Sequence, residues 1–191
     1  MANGWNDRWI PSKWTRLRDR MSRRWNIFAL ALILAALAAG CREVFPSYGE
    51  VGDKAPDYGA HTLAGDSITL ASLRGSPVLL NIWATWCPPC RKEMPDLQEL
   101  HERHSPNGLQ VVGVSIDAAG MDDAVRQFLE EYGVTYTILR DPSDRISSVF
   151  MTQGVPVTIL IDSDGKVLWR RLGPVSAEDE GLNQALAQAL R

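Results

Sequence analysis

Cysteine is scarce in this chain, with three residues among 191, at positions 41, 87 and 90. Three is too few for a scaffold stapled by disulfides, and their spacing sets one apart and pairs the other two, which points to chemistry rather than cross-linking. Histidine is as rare, limited to His61, His101 and His104. With no second cysteine pair, a zinc site built on positions 87 and 90 is short of ligands. No apolar run reaches the ~20 residues that a membrane-spanning helix needs; the longest, residues 27–39, has thirteen. Internal repeats and low-complexity tracts are missing from the body that follows residue 41. Acidic residues are few at the start: residues 1–40 carry 7 Lys/Arg against 2 Asp/Glu, whereas residues 41–191 carry 13 against 21. An acidic body argues against nucleic acid as a partner. What is present, 45% hydrophobic and 23% charged residues, suits one globular domain of about 140 to 150 residues plus an additional segment.

That segment is the amino terminus. Residues 27–39 follow Arg23 and Arg24 and lead into Leu37-Ala38-Ala39-Gly40-Cys41. The length is that of a signal-peptide hydrophobic region, and small residues precede a cleavage point. The ending resembles the lipobox of bacterial lipoproteins, in which the cysteine receives lipid and becomes the new first residue. Leu37 lies one place further out than the commonest pattern, with Ala38 in its usual position. Residues 1–40 are therefore read as a signal peptide and Cys41 as a lipidation site; an uncleaved anchor and a buried helix are the alternatives. The first twenty residues fit poorly, because Trp5, Trp9, Trp14 and Pro11 show no period, while a start at Met21 leaves twenty residues before Cys41. We expect translation to begin at Met21, an expectation that peptides from residues 1–20 in the cellular protein would refute. Export and a lipid anchor place the body outside the cytoplasm, in the periplasm or on the outer face of the cell membrane.

Residues 42–56 hold two Pro, two Gly and little periodicity, and read as a tether spanning about 20 Å if flexible. Beyond it, from residue 57 to 191, apolar strand-like runs alternate with helical patterns. Strands are expected at 78–84, 110–117, 136–140, 157–162 and 166–172. Helices are expected at 88–104, 121–132, 146–150 and 177–190, the last opened by Ser176 with Asp179 three residues on. The alternation argues for an α/β sheet with helices on its faces. A turn at Ser163-Asp164-Gly165 makes the last two strands an antiparallel hairpin. The helix from Met121 puts Met121, Val125, Phe128 and Tyr132 on one stripe and stops at Gly133, a packing pattern with no chemistry to assign.

The informative stretch is Trp83-Ala84-Thr85-Trp86-Cys87-Pro88-Pro89-Cys90, where a buried strand ends and a helix begins. Two thiols two residues apart at a helix start can close a small disulfide, and the unpaired N–H groups and positive dipole end there favour a thiolate on Cys87. Cys87 is expected to be the exposed nucleophile. Pro88 and Pro89 cost nothing, since first-turn amides have no intrahelical partner to lose. Cys90, on the stripe Cys90, Met94, Leu97, is expected to be the shielded resolving thiol. A structural staple closing so short a loop adds little constraint to the unfolded chain. Redox chemistry is thus the reading these residues favour over a staple or half a zinc site.

WATWCPPCRKEMP, preceded by VLLNI and followed about 65 residues later by Gly154-Val155-Pro156-Val157-Thr158, resembles the thioredoxin superfamily, in particular the extracytoplasmic TlpA/ResA/CcmG-like thiol–disulfide oxidoreductases. The likeness spans roughly residues 50–190, including Gly52, Ala55-Pro56-Asp57 and an inserted helix and strand at about 121–140. It implies a thioredoxin-like mixed sheet flanked by helices, with Pro156 following a cis peptide bond and facing the disulfide. The Val155 N–H and C=O are then free to pair with an extended client chain. Family members often carry Thr where Val157 stands, a departure that bears on client contacts rather than on fold.

Thioredoxin has a buried Asp six residues before the first cysteine; Asn81 occupies that place here and cannot accept the proton of the resolving thiol. Glu93, one helical turn past Cys90 and beside the apolar stripe with Leu97 and Leu100, is the candidate, since desolvation there raises a carboxyl pKa. Taken alone, a helix Glu is most often solvated; the resemblance, in which a glutamate at this place belongs to the active site, favours the functional role. Pro95 removes the amide that would bond the Arg91 carbonyl and is expected to kink the helix. Trp86 is expected to shape the client surface and Trp83 to be core, while His101 and His104 read as solvated surface residues rather than a metal pair.

The sequence is thus read as a membrane-tethered reductant of client protein disulfides, with Cys87, Cys90 and Glu93 catalytic and Trp86, Val155 and Pro156 contacting the client. No cofactor or metal is assigned. The resemblance implies a membrane electron donor and clients such as apocytochrome c or a copper-site precursor. The rivals are a role in copper-site assembly; a peroxidase, disfavoured by Leu80 and Ala84 where such enzymes need Pro and Thr/Ser; and a non-catalytic binding module, disfavoured by the two retained cysteines.

Overall fold

The structure, a computed structural model, describes residues 49–191; the signal segment, Met21 and Cys41 lie outside the described residues. Seven strands form one mixed sheet: β1 (Gly59–Thr62), β2 (Ser67–Thr69), β3 (Val78–Trp83), β4 (Gln110–Ser115), β5 (Thr137–Arg140), β6 (Val157–Ile161) and β7 (Val167–Leu172), in the order β2-β1-β5-β4-β3-β6-β7. Four helices accompany them: α1 (Pro88–His104), α2 (Asp122–Glu131), α3 (Arg145–Val149) and α4 (Glu180–Ala189). β3 lies between parallel β4 and antiparallel β6. All six of its residues are buried, as expected for a strand covered on both faces. Successive side chains point to opposite faces, so Leu79 and Trp83 join a core with α1, α2 and α4, while Leu80 and Ile82 join one with Tyr58, Ile146 and Phe150. The fold is the thioredoxin-like mixed sheet expected, with α2 and β5 as the inserted unit and β5 paired parallel to β4. The β6–β7 hairpin is present, its turn closed by Asp162 Oδ1, which accepts the N–H groups of Asp164 and Lys166.

Several details differ from the sequence expectation. The β1–β2 hairpin was not foreseen: its strands have four and three residues and bury only Ala60 fully, so the hydrogen bonding of β1 to β5 and of β2 to β1 rather than apolar alternation defines them. Residues 52–55, assigned by composition to the tether, run along the start of β7, with Gly52 N–H donating to Val167 O and Val167 N–H to Asp53 O. The folded body therefore begins before residue 57. Helix α4 starts three residues later than expected, because Asp179 rather than Ser176 is its cap and accepts the Leu182 N–H; Ser176 bonds Asp96 on α1 instead. Met121 is exposed, so the apolar stripe of α2 begins at Val125. Among the described residues no helix is long and apolar enough to cross a membrane.

Candidate active site

The chain leaves β3 at its carboxyl end, crosses Ala84-Thr85-Trp86 and enters α1 with Cys87 as the N-cap and Pro88 and Pro89 in the first turn. Cys87 and Cys90 form a disulfide with an S–S distance of 2.06 Å. Cys87 Sγ accepts the Cys90 N–H at 3.2 Å, so this sulfur sits where the helix offers an unpaired donor and its positive end. Such a place favours the thiolate. The Val155–Pro156 peptide is cis, and the Val155 carbonyl oxygen lies 3.6 Å from Cys87 Sγ. Cys87 is not the exposed residue expected: only 2% of its surface is open, against 63% for Trp86 beside it. The cis-proline loop covers the sulfur that the sequence alone leaves at a bare helix end. Trp83 is core, stacked on Phe128 at 5.0 Å between ring centroids.

Glu93 is completely buried one turn beyond Cys90. Its Oε1 accepts an N–H of the Asn81 amide at 2.8 Å and its Oε2 the Val175 backbone N–H at 2.9 Å. Burial, the largest influence, pushes its pKa from 4.5 up to about 7; the two hydrogen bonds pull it down and the nearby Asp96 charge pushes it up. The second Nδ2–H of Asn81 goes to Thr158 Oγ1 at 2.9 Å on β6, directly opposite in register. Tyr136 donates to Met94 Sδ at 3.1 Å, and burial and then the Glu93 charge hold its phenol well above the usual range. Sequence reasoning located Glu93 but not the ring of Asn81, Thr158 and Val175 that holds it, because these come from three elements distant in the chain.

A second polar cluster fixes the approach to Cys87. Asp117, at the end of the run that contains β4, is buried and accepts the Thr85 N–H (3.0 Å to Oδ2), the Thr85 hydroxyl (2.6 Å to Oδ1) and the Ser115 hydroxyl (2.8 Å to Oδ2). Arg140 on β5 donates to Ser115 Oγ and to the Asp117 and Ala118 carbonyls, and its Nε pairs with Asp122 at the start of α2. The signal for Asp117 was present as a carboxylate ending an apolar strand. His101 and His104 are half-buried rather than solvated; the His101 ring lies edge-on to Tyr136 at 6.0 Å between centroids, and burial lowers the His104 pKa.

A cysteine pair capping a helix beneath a cis-proline loop, on a mixed sheet centred on β3, defines a thioredoxin-like dithiol–disulfide exchanger. The chain belongs to the AhpC/TSA family, whose profile matches residues 51–170. It is 35% identical over 129 residues to the thiol–disulfide oxidoreductase ResA of Bacillus thuringiensis, an alignment covering 68% of this chain and 73% of that protein. Among solved structures it resembles one assigned as the thiol:disulfide interchange protein DsbE of Chlorobium tepidum, with 35% identity, a TM-score of 0.67 and coverage of 74% of this chain and 99% of that one. It also resembles a secreted Mycobacterium tuberculosis disulfide oxidoreductase homologous to DsbE of E. coli, at 26% identity and a TM-score of 0.58, covering 69% and 95% of the two chains. The protein is accordingly a thiol–disulfide oxidoreductase of the ResA- and DsbE-like kind.

Proposed function

We propose that this enzyme works outside the cytoplasm, tethered to the membrane through lipid on Cys41, and reduces disulfides of client proteins, for example in cytochrome c maturation. The observation that carries the reading is the Cys87–Cys90 pair at the start of α1 with a buried, high-pKa carboxyl one turn beyond. The Cys87 thiolate attacks one sulfur of the client disulfide, and the other client sulfur leaves as a thiolate that takes a proton from solvent. The mixed disulfide lies along Val155 and Pro156, with Trp86 as its exposed apolar wall. Cys90 passes its proton to the Glu93 carboxylate and attacks Cys87 Sγ, closing the 87–90 disulfide and expelling the second client thiolate, which recovers the proton. Two electrons have then moved from the pair to the client, and a membrane electron donor must return them.

The direction of flow is tested by titrating the pair against glutathione or dithiothreitol. A potential near or below about −220 mV supports a reductant, and one near about −120 mV reverses the assigned direction. Replacing Cys87 with Ser should abolish turnover; surviving turnover overturns the mechanism. The tether is tested by the mass of the mature amino-terminal peptide, which carries lipid on Cys41 if the reading holds and begins elsewhere or unmodified if it does not.

A further inference from the structure

Asn81 lies on the face of β3 covered by α1, between Leu79 and Trp83, and is fully buried. Both N–H groups of its amide are spent, one on Glu93 and one on Thr158, whereas its Oδ1 is buried with no hydrogen-bond partner among the described residues. A buried acceptor left empty in this way calls for an explanation. The Glu93 carboxyl has the complementary problem. Both of its oxygens accept from N–H groups, of Asn81 and Val175, an arrangement complete for a carboxylate. Once protonated, its O–H finds no acceptor in either of these two partners.

We infer that Asn81 is a positioning residue for the thiol exchange: its amide donates to Glu93 while that group is ionised, and turns over to accept the acid proton on Oδ1 once Glu93 has taken it. Rotation by half a turn about the bond to the amide carbon exchanges Nδ2 and Oδ1, so Oδ1 comes to face both Glu93 and Thr158 while the two N–H groups move to the place in which Oδ1 has no partner, a cost that the hydrogen bond from protonated Glu93 offsets. The Thr158 hydroxyl suits either state, since it can accept from Nδ2 or donate to Oδ1. The amide also stays neutral throughout, where an aspartate would set a second charge against Glu93. The other titratable groups that act on Glu93 are Asp96 on its own helix and Tyr136 ahead of β5, with the disulfide-bonded Cys90 one turn before it. β3, β6 and the linker after β7 present the neutral groups of Asn81, Thr158 and Val175. The inference rests on Glu93 as the proton acceptor.

The test is the pH–rate profile of exchange with oxidised glutathione in the full chain, for wild type, Glu93→Gln and Asn81→Leu. Glu93→Gln should remove the limb near neutrality. Asn81→Leu should keep that limb and move it up by about one pH unit, because a donor to a charged carboxylate is worth more than an acceptor for a neutral acid. In the oxidised wild type, the Asn81 side-chain N–H resonances should shift with the same midpoint as the Glu93 carboxyl carbon. An unmoved limb in a folded Asn81→Leu, or Asn81 resonances indifferent to the Glu93 titration, overturns the inference; the second measurement decides alone if that variant does not fold. If Glu93→Gln leaves the limb in place, the proton-acceptor reading itself fails and the role of Asn81 falls with it.

Discussion

Asp117 holds Thr85 by both its backbone N–H and its hydroxyl, so the residue two places before Cys87 hangs from a buried carboxylate on the neighbouring run. The remaining polar atom of Thr85, its carbonyl oxygen, accepts from Arg91 Nε at 2.9 Å. The loop that presents Trp86 and Cys87 is therefore anchored to the strand end after β4 and, through Ser115 and Arg140, to the start of α2. The inserted unit is part of the support of the redox loop rather than an appendage.

Replacing Asp117 with Ala leaves the Thr85 N–H and the Thr85 and Ser115 hydroxyls without that acceptor. The expected loss is about 3 kcal/mol of stability, read as a lower urea midpoint in the oxidised protein. Retention of the wild-type midpoint would show that the cluster contributes nothing net.

Stability should fall with pH through the Glu93 titration. Its pKa is 4.5 when free and about 7 when folded, so between these values the native state binds more protons than the unfolded one. Stability then declines as pH rises across that window and levels off above it. The full effect is on the order of 3 kcal/mol. Denaturant unfolding of the oxidised protein, in which neither thiol of the pair titrates, should show this slope in wild type and lose it in Glu93→Gln. A slope shared by both would assign it to another group.

Gly113 on β4 is a close-approach glycine: a Cβ there would stand 2.8 Å from Ile138 Cδ1 and 2.9 Å from Trp83 Nε1. Both neighbours are buried, so Gly113→Ala should destabilise by about 1 to 3 kcal/mol through overpacking. A melting temperature equal to wild type would mean that Trp83 moves aside freely.

Trp86 presents a large apolar surface beside the covered Cys87. Trp86→Ala should change stability by less than about 0.5 kcal/mol, while raising the KM for a protein disulfide several-fold and leaving the rate with oxidised glutathione unchanged. Equal losses with both substrates would place Trp86 in the positioning of Cys87 rather than in client contact.

The central strands were legible because β3, β4 and β6 are mostly apolar, and α1 because two prolines and a cysteine pair mark its start. The β1–β2 hairpin was not, since its seven residues, with Ala60 alone buried, carry no apolar period. The late start of α4 escaped for a related reason: Ser176 and Asp179 are both good caps, and only the contact of Ser176 with Asp96 on α1 decides between them.

The amino-acid sequence by itself determined the chemistry. Two thiols two residues apart at a helix start are a property of local spacing and of side-chain type, and the likeness to a known family added the glutamate one turn on and Pro156. Only the tertiary structure decided how those groups are held. Whether Cys87 is open or covered depends on where residue 155 lies, and whether Glu93 is solvated or buried depends on Asn81, Thr158 and Val175 closing around it. Burial and hydrogen bonding are set by neighbours across strands and loops, and proximity between residues more than sixty positions apart leaves no periodic trace in a single chain.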